Sequence, residues 1–344
     1  MITSWLTPLY AGAVAARSGL YDAGWLRPER LTVPVLSVGN LTAGGTGKSP
    51  MVELIARTLR DLGRAPAVVS RGYRGTHTGR ATIVSTGDGP LVDAAVAGDE
   101  PVMLAAALAG VPVIVSHRRR DGGELAIRAL GSRCIVLDDG YQHRALHRDL
   151  DLLLIDGTDP FGNGRLLPAG PLREPIAAMS RAGAVMVTRA DRAQRQTLAI
   201  IDDSVRRHCP AAPVFHCRTV PKDLVRFADE ASVPLDALRS SRAACFAGIA
   251  SPQRFFDDVA SSGATVVAAL SFSDHHRFDA LDLERVGSAA VGASADLILT
   301  TQKDAARLGV SVMPPSLSRL HVFRVTTAVD ESDAFASLLA RCIA

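Results

Sequence analysis

The sequence predicts an α/β protein, a parallel sheet with helices on both faces followed by a second, shorter α/β series beyond an extended linker. Three observations predict it. From about Thr32, short apolar runs alternate with amphipathic stretches, the rhythm of strand and crossover helix. The runs are rich in Val, Ile and Leu from end to end, which marks strands buried on both faces and not half-exposed antiparallel ones. A shorter series of the same kind restarts after an extended stretch that carries prolines.

In chain order, strands are expected at Val33–Val38, Ala67–Ser70, Val113–Ser116, Cys134–Leu137, Leu152–Ile155 and Val185–Thr188, with helices at Ser49–Leu62, Glu100–Ala109 and Gly123–Leu130. The second series runs Ala244–Gly248, a helix from Pro252, Thr265–Leu270, a helix from Ala280, and Leu297–Thr300. The expected domains are an N-terminal helix over 1–30, a larger α/β domain over 31–212, an extended linker over 213–227 and a smaller domain over 228–344. A returning strand at 321–326 is placed to pair with the linker.

Composition narrows the function. Apolar residues form 47% of 344, enough for two cores, and 38 Lys and Arg against 35 Asp and Glu leave a net charge of only +3. With no Lys-rich stripe interleaved with aromatics, no nucleic-acid partner is expected, and no protein partner is evident. Five scattered cysteines without metal-like pairing suit a reducing cytoplasm. Trp5–Leu26 is apolar but broken by Pro8, Arg17 and Asp22, which argues against a signal peptide and a spanning helix. Two readings stay open: a helix on a membrane surface with Trp5, Leu9, Leu20, Tyr21 and Trp25 as anchors, or a helix packed on the protein's own body.

The strongest local signal is Gly44-Gly-Thr-Gly-Lys48-Ser49, which follows an apolar strand and opens an amphipathic helix. Glycines there let backbone N–H groups turn toward phosphate oxygens, the helix N-terminus favours negative charge, Lys48 reaches the terminal phosphates, and Ser49 suits magnesium. Gly44, Gly45, Thr46, Gly47, Lys48 and Ser49 are the expected ATP contacts. The strict pattern wants Gly at position 42, where this chain has Thr42. The bland alternative is a glycine-rich turn with an incidental lysine. A phosphate loop also needs a carboxylate at a neighbouring strand end. Cys134-Ile-Val-Leu-Asp138-Asp139 supplies two; helix capping is the alternative. Asp99 opens a helix where an Asp usually caps. Asp274-His275-His276 reads as a turn, Arg118–Arg120 as a phosphate contact or a solvated patch, and Thr301–Asp304 as an out-of-register version of a GTPase base-reading motif.

Longer strings surround these pieces: Gly39 to Pro50, Leu137-Asp-Asp-Gly-Tyr-Gln-His143, Asp159 to Pro175, Ser70-Arg-Gly-Tyr73, Gly98-Asp-Glu-Pro101, Phe246-Ala-Gly-Ile249 and Lys303-Asp304. Together, and in their order along the chain, they resemble the tetraacyldisaccharide 4′-kinase family across nearly the whole sequence, Thr42 included; Tyr141 stands where Phe is commoner. The resemblance implies a P-loop kinase-like fold with a second, smaller α/β/α domain joined by a two-stranded linker, and transfer of the ATP γ-phosphoryl group to the 4′-hydroxyl of a lipid disaccharide 1-phosphate, with Mg2+ held by Ser49, Asp138 and Asp139. It implies Asp99 as the base with His275 as its partner beside Lys48, and Arg71, Gln142 and His143 as substrate contacts. It also implies peripheral attachment to the cytoplasmic face of the inner membrane through the N-terminal helix. A P-loop GTPase or metal-insertion chaperone is the rival; the register of Thr301–Asp304 and the lack of a Cys/His cluster count against it.

Overall fold

The computed structural model describes residues 6–308 and 315–343 and divides into two compact units. One holds residues 1–92, 96–219 and 327–344; the other holds 93–95 and 220–326.

The larger unit opens with helix α1 (Leu6–Asp22), β1 (Val35–Asn40) and α2 (Lys48–Asp61). It continues with β2 (Pro66–Ser70), β3 (Thr82–Ser85), a one-turn α3 (Ala94–Ala97) whose first two residues group with the other unit, α4 (Asp99–Ala107), β4 (Val113–Val115), α5 (Arg119–Leu130) and β5 (Cys134–Asp138). Then come β6 (Leu150–Asp156), β7 (Ala184–Thr188), α6 (Arg195–His208) and the long β8 (Val214–Arg226). The strands lie in the order β8-β7-β6-β1-β5-β2-β4-β3. All pairings are parallel except β3 on β4, an antiparallel edge that the apolar pattern did not announce.

Every residue of β1, β2, β5, β6 and β7 is buried, as expected for strands covered on both sides. Successive residues face opposite layers. Ala67 and Val69 join Val35, Ile135 and Leu137 in a core with Ala126 of α5, while α2, burying Met51, Val52, Ile55 and Leu59, packs on β1, β2 and β5. From β1 the chain builds outward in both directions, so the ends of β1 and β5 form the crevice where such sheets take ligands.

Helix α1 has no buried residue, yet one side is tethered. The Tyr10 hydroxyl donates to Arg173 O, Arg17 donates to Gln142 O, and Arg144 pairs with Asp22 and covers the Tyr21 ring. Leu6, Leu9, Leu20, Trp25 and Leu26 are exposed. Tyr21 therefore faces the protein, and Trp5 lies outside the described residues. Among the described residues no helix is long and apolar enough to cross a membrane.

The smaller unit adds β9 (Ser232–Val233), β10 (Arg242–Ala247), α7 (Pro252–Ser261), β11 (Thr265–Ser271), α8 (Ala280–Gly292), β12 (Leu297–Thr301), α9 (Gln302–Leu308) and β13 (Leu320–Val329). β11, β10, β12 and β13 form a parallel sheet. Its helices cover both faces. Ala243, Cys245 and Ala247 pack with Phe255, Phe256 and Val259 of α7, while Ala244 and Phe246 between them pack with Leu283, Val286 and Ala290 of α8. The chain passes between units within β8 and within β13, and in the smaller unit Phe227 N bonds Leu320 O while Arg324 grips Asp223. Residues 327–344, with the final helix α10 (Ser332–Cys342), group with the larger unit and not with the 228–344 segment. Phe335 of α10 meets Phe215 edge to face there.

Candidate active site

The phosphate loop spans 41–47, between β1 and α2. Its tip, Ala43–Gly45, is exposed, while Thr46 and Ser49 are buried. The Lys48 ammonium donates to Asn40 Oδ1 at 3.1 Å and to Gly44 O at 3.4 Å, and it lies 3.7 Å from Asp139. Asn40 turns its amide nitrogen to Thr42 O at 2.7 Å and Thr42 Oγ1 at 3.1 Å. Thr42 therefore belongs to a clamp that a glycine could not complete.

A second segment braces the loop from outside. Ala43 N donates to Pro171 O, Arg173 N donates to Leu41 O, and Thr42 bridges Leu172. The long 159–175 string thus holds the loop's backbone. A small cleft opens between Thr42–Thr46 and Asp156, Asp159, Gly162 and Pro171. At its margin Arg189 pairs with Asp156 and donates to Gly45 O at 3.0 Å.

The two strand-end carboxylates differ. Asp138 is 1% exposed; its Oδ2 accepts from Ser70 Oγ at 2.9 Å and its Oδ1 has no partner. Burial, then Glu100 and Asp139, push its carboxyl up to about 6, against the Ser70 hydrogen bond and Lys48. Asp139 takes the left-handed region at φ 51° and turns to the cations, with both oxygens on Arg173 at 2.9 and 2.8 Å. Burial opposes its ionisation, but Lys48 and Arg173 outweigh that and hold it below the usual carboxylate range. Close backbone approach makes this corner possible: a Cβ on Gly39 would sit 2.6 Å from Tyr141 Cβ. The buried Tyr141 hydroxyl donates to Ala178 O at 2.7 Å, which accommodates Tyr for Phe.

Helix α4 delivers Asp99. Its cap position is Gly98, at φ 87° and packed so that a Cβ would meet Tyr73 O at 2.5 Å. Asp99 is the first helical residue, half-buried, and so does not fill the cap position. Glu100 beside it is the carboxylate that raises Asp138.

The substrate-contact candidates separate. The Gln142 amide donates to Asn40 O at 2.9 Å and to Glu174 at 3.3 Å, bracing the loop. His143 is pushed down to about 4, by burial first and then by Arg119, Arg148, Arg17 and Arg71. Arg71 is exposed. Arg119 is 3% exposed, donates to Ser116 O, and keeps Nε without a partner. Burial draws its pKa down to about 10 while Asp138 and Asp139 act the other way. The middle arginine of the 118–120 run is thus a buried cation facing the carboxylates.

In the smaller unit His275 sits at φ 60°, its N–H on Gly248 O, and its Nδ1 lies 3.1 Å from Arg307 Nη2. His276 bonds Asp282 at 2.6 Å and packs among Phe272 and Phe278. Asp304 is fully buried on Gly248 N, Thr301 and Arg307, so the Thr301–Asp304 stretch presents no base-reading carboxylate.

Arg173, Glu100 and Arg307 were not among the expected site residues, and Arg119 was offered only within the 118–120 run, as a phosphate contact or a solvated patch. Arg173 and Glu100 stood inside quoted strings, and Arg119 inside a charge run. Only Arg307 carried no signal.

The family model described as tetraacyldisaccharide-1-P 4′-kinase matches residues 2–344. A protein named tetraacyldisaccharide 4′-kinase from Anaeromyxobacter sp. (strain K) is 43% identical over 92% of this chain and 83% of its own length. One of the same name from Geobacter metallireducens is 42% identical over 91% and 88%. Among solved structures, an "apo" form of LpxK from Aquifex aeolicus, described as in complex with ATP, matches with TM-score 0.78 and 31% identity, covering 98% of each chain. The phosphate loop, its carboxylates and these likenesses agree: the chain belongs to the tetraacyldisaccharide-1-P 4′-kinase family.

Proposed function

We propose that this chain transfers the γ-phosphoryl group of ATP to the 4′-hydroxyl of a tetraacylated glucosamine disaccharide 1-phosphate. The observation that carries the reading is the pairing of Lys48, poised over the phosphate loop, with a buried strand-end carboxylate that keeps one oxygen without a partner. Gly44–Gly47 present backbone N–H groups to the phosphates, and Lys48 and Arg119 offset their charge.

The residues fit magnesium. Asp138 Oδ1, at the end of β5, and Thr46 Oγ1, in the loop, are buried without hydrogen-bond partners, and Ser49 at the start of α2 is buried as well, a set of hard oxygens of the kind this cation takes. Asp138 and Ser49 would hold it, with Asp139 ordering Lys48 and Arg173. When bound, the ion neutralises charge on the phosphates. Asp99 takes the hydroxyl proton as the oxygen attacks the γ-phosphorus and ADP leaves, and His275 acts in the same step. The neutral His143 and the arginines around it suit an acceptor that carries a phosphate.

Helix α1 supports attachment to a membrane surface. Its tethered side is polar and aromatic, and its outward side is Leu6, Leu9 and Leu20, with Trp25 and Leu26 beyond its end. Deleting Met1–Gly24 should move the protein off anionic vesicles and raise KM for lipid more than for ATP.

The direct test incubates the protein with ATP and the disaccharide acceptor and reads the product position by mass spectrometry, with GTP in competition. Phosphate on the 4′-oxygen supports the reading. Hydrolysis without transfer, or preference for GTP, rejects it in favour of a nucleotide switch.

A further inference from the structure

Helix α1 is half-buried at Thr7, Tyr10, Val14, Ser18 and Tyr21, the three-and-four spacing of one helix face. From this face and its margin two side chains reach backbone carbonyls of the larger unit. The Tyr10 hydroxyl donates to Arg173 O at 2.8 Å, and Arg17 Nη2 donates to Gln142 O at 3.0 Å. Both acceptor residues also act on the phosphate loop. Arg173 N donates to Leu41 O at 2.7 Å, and the Arg173 guanidinium holds both oxygens of Asp139, which lies 3.7 Å from the Lys48 ammonium. The Gln142 amide donates to Asn40 O at 2.9 Å, and Asn40 Oδ1 accepts from Lys48 Nζ at 3.1 Å. Two short chains of contacts thus run from α1 to one ammonium, through 173 and 139 and through 142 and 40. All of these residues lie in the larger unit.

A lysine ammonium is a compact charge on a flexible stem with three rotatable donors, so its place is decided by the acceptors around it. For Lys48 these are the Asn40 amide oxygen and Gly44 O, with the Asp139 carboxylate near by. No helix or strand spans 157–175, so the Arg173 backbone is held by the loop on one side and by Tyr10 on the other. We propose that Tyr10 and Arg17 are positioning residues for Lys48, so that the seating of α1 sets the affinity of the phosphate loop for ATP as well as the hold on a membrane surface. The proposal rests on the reading of Lys48 as the cation that meets the ATP phosphates. A helix drawn off its seat releases the carbonyls of Arg173 and Gln142 and leaves Asp139 and Asn40 less ordered. ATP binding and transfer then both fall, because a small misplacement is costly where charge must be met in place.

The test uses the full-length protein in detergent with no lipid acceptor present, titrated calorimetrically with Mg2+ and the β,γ-methylene analogue of ATP. Tyr10→Phe and Arg17→Gln should each weaken the analogue about 3- to 10-fold, the scale of one hydrogen bond, and the double change should cost more than either. Melting temperatures should stay near that of wild type. A helix that serves only the membrane and the acceptor would change vesicle binding and KM for lipid alone, so wild-type affinity for the analogue in both variants overturns the proposal. In an Asp139→Asn background Tyr10→Phe should cost little further, because the charge that Arg173 positions is gone. A merely structural loss would cost the same in either background, and full additivity overturns the proposal. Lys48→Ala tests the reading beneath. If it binds the analogue as tightly as wild type, that reading falls and the proposal with it. Weak binding by Lys48→Ala beside unchanged Tyr10→Phe and Arg17→Gln removes the proposal alone.

Discussion

Residues 138–139 and 275–276 are each a pair of identical side chains adjacent in the chain, and in each pair the two members have different partners. Asp139 is gripped by Arg173 and lies near Lys48, whereas Asp138, buried deeper, holds one hydrogen bond from Ser70 and an oxygen with no partner. His276 bonds Asp282 inside the capping box of α8 and stacks on Phe272, whereas His275 meets a guanidinium fixed by a buried carboxylate. In both pairs one member takes a left-handed backbone, Asp139 at φ 51° and His275 at φ 60°, and this turns neighbours in sequence toward different surroundings. Residue type alone therefore says little. What separates a bracing side chain from a working one is which of its polar atoms are already engaged, and by what.

The largest effect tests the phosphate loop against which both pairs are judged. Lys48→Ala should lower kcat by on the order of 1000-fold or more, since charge stabilisation dominates this transfer, while the melting temperature stays near that of wild type. Full activity would remove the loop from the mechanism. A smaller change divides the acidic pair. Asp138→Asn should cost on the order of 100-fold in kcat and shift the magnesium dependence. Asp139→Asn should cost less and raise KM for ATP, because Lys48 and Arg173 lose the carboxylate that orders them. If both variants match wild type across a magnesium titration, the strand-end acids are structural.

Much of this was legible in the sequence. The buried strands, the loop and the acidic strand end follow from continuous apolar runs and from glycines at a strand-to-helix turn, because these patterns reflect local backbone demands. What was not legible depends on side chains far apart in sequence. Thr42 looked like a defect until Asn40 and Leu172 closed on it. Arg119 stood in a run that read equally as a phosphate contact or a solvated patch, since the burial of its middle residue is decided by the packing around it. Edge strand β3 is short and half-exposed, so it carries no apolar run to read. Arg307 sits among ordinary helix residues, and its contacts with Gly248 and His275 appear only when α9 is laid beside them.

A pH experiment extends the comparison to the remaining histidine of the candidate site. His143 is pushed down to about 4 from an ordinary value of 6.5, so between those values the unfolded chain binds more protons than the folded one. Stability should therefore rise with pH from about 4 to 6.5 and be fully present above that window. The expected loss at pH 4 is about 2 kcal/mol after allowance for solvent screening. Urea melts of wild type and His143→Gln across this range should converge as pH falls. Parallel curves would mean that neither burial nor the surrounding arginines lower the ring's pKa.

The smallest effect concerns His276, and it sharpens the histidine pair. If the difference between the two histidines lies in their partners, His276→Ala should be a stability variant only. Its ring nitrogen bonds Asp282, the residue that closes the capping box with Asp279, and its ring lies 4.9 Å from Phe272 and 5.1 Å from Phe278. Removing it takes away one hydrogen bond to a charged group and two aromatic contacts at a partly exposed site, together about 1–2 kcal/mol. Asp282 keeps its backbone partner Asp279 N, so α8 should still start at the same residue. The expected result is a melting temperature lower by several degrees, with kcat and both KM values unchanged. His276→Phe should recover part of the loss by restoring the ring, and it cannot restore the hydrogen bond. A fall in kcat in either variant, at a temperature where the protein remains folded, would show that the two histidines act together, and the contrast between them would then be one of degree.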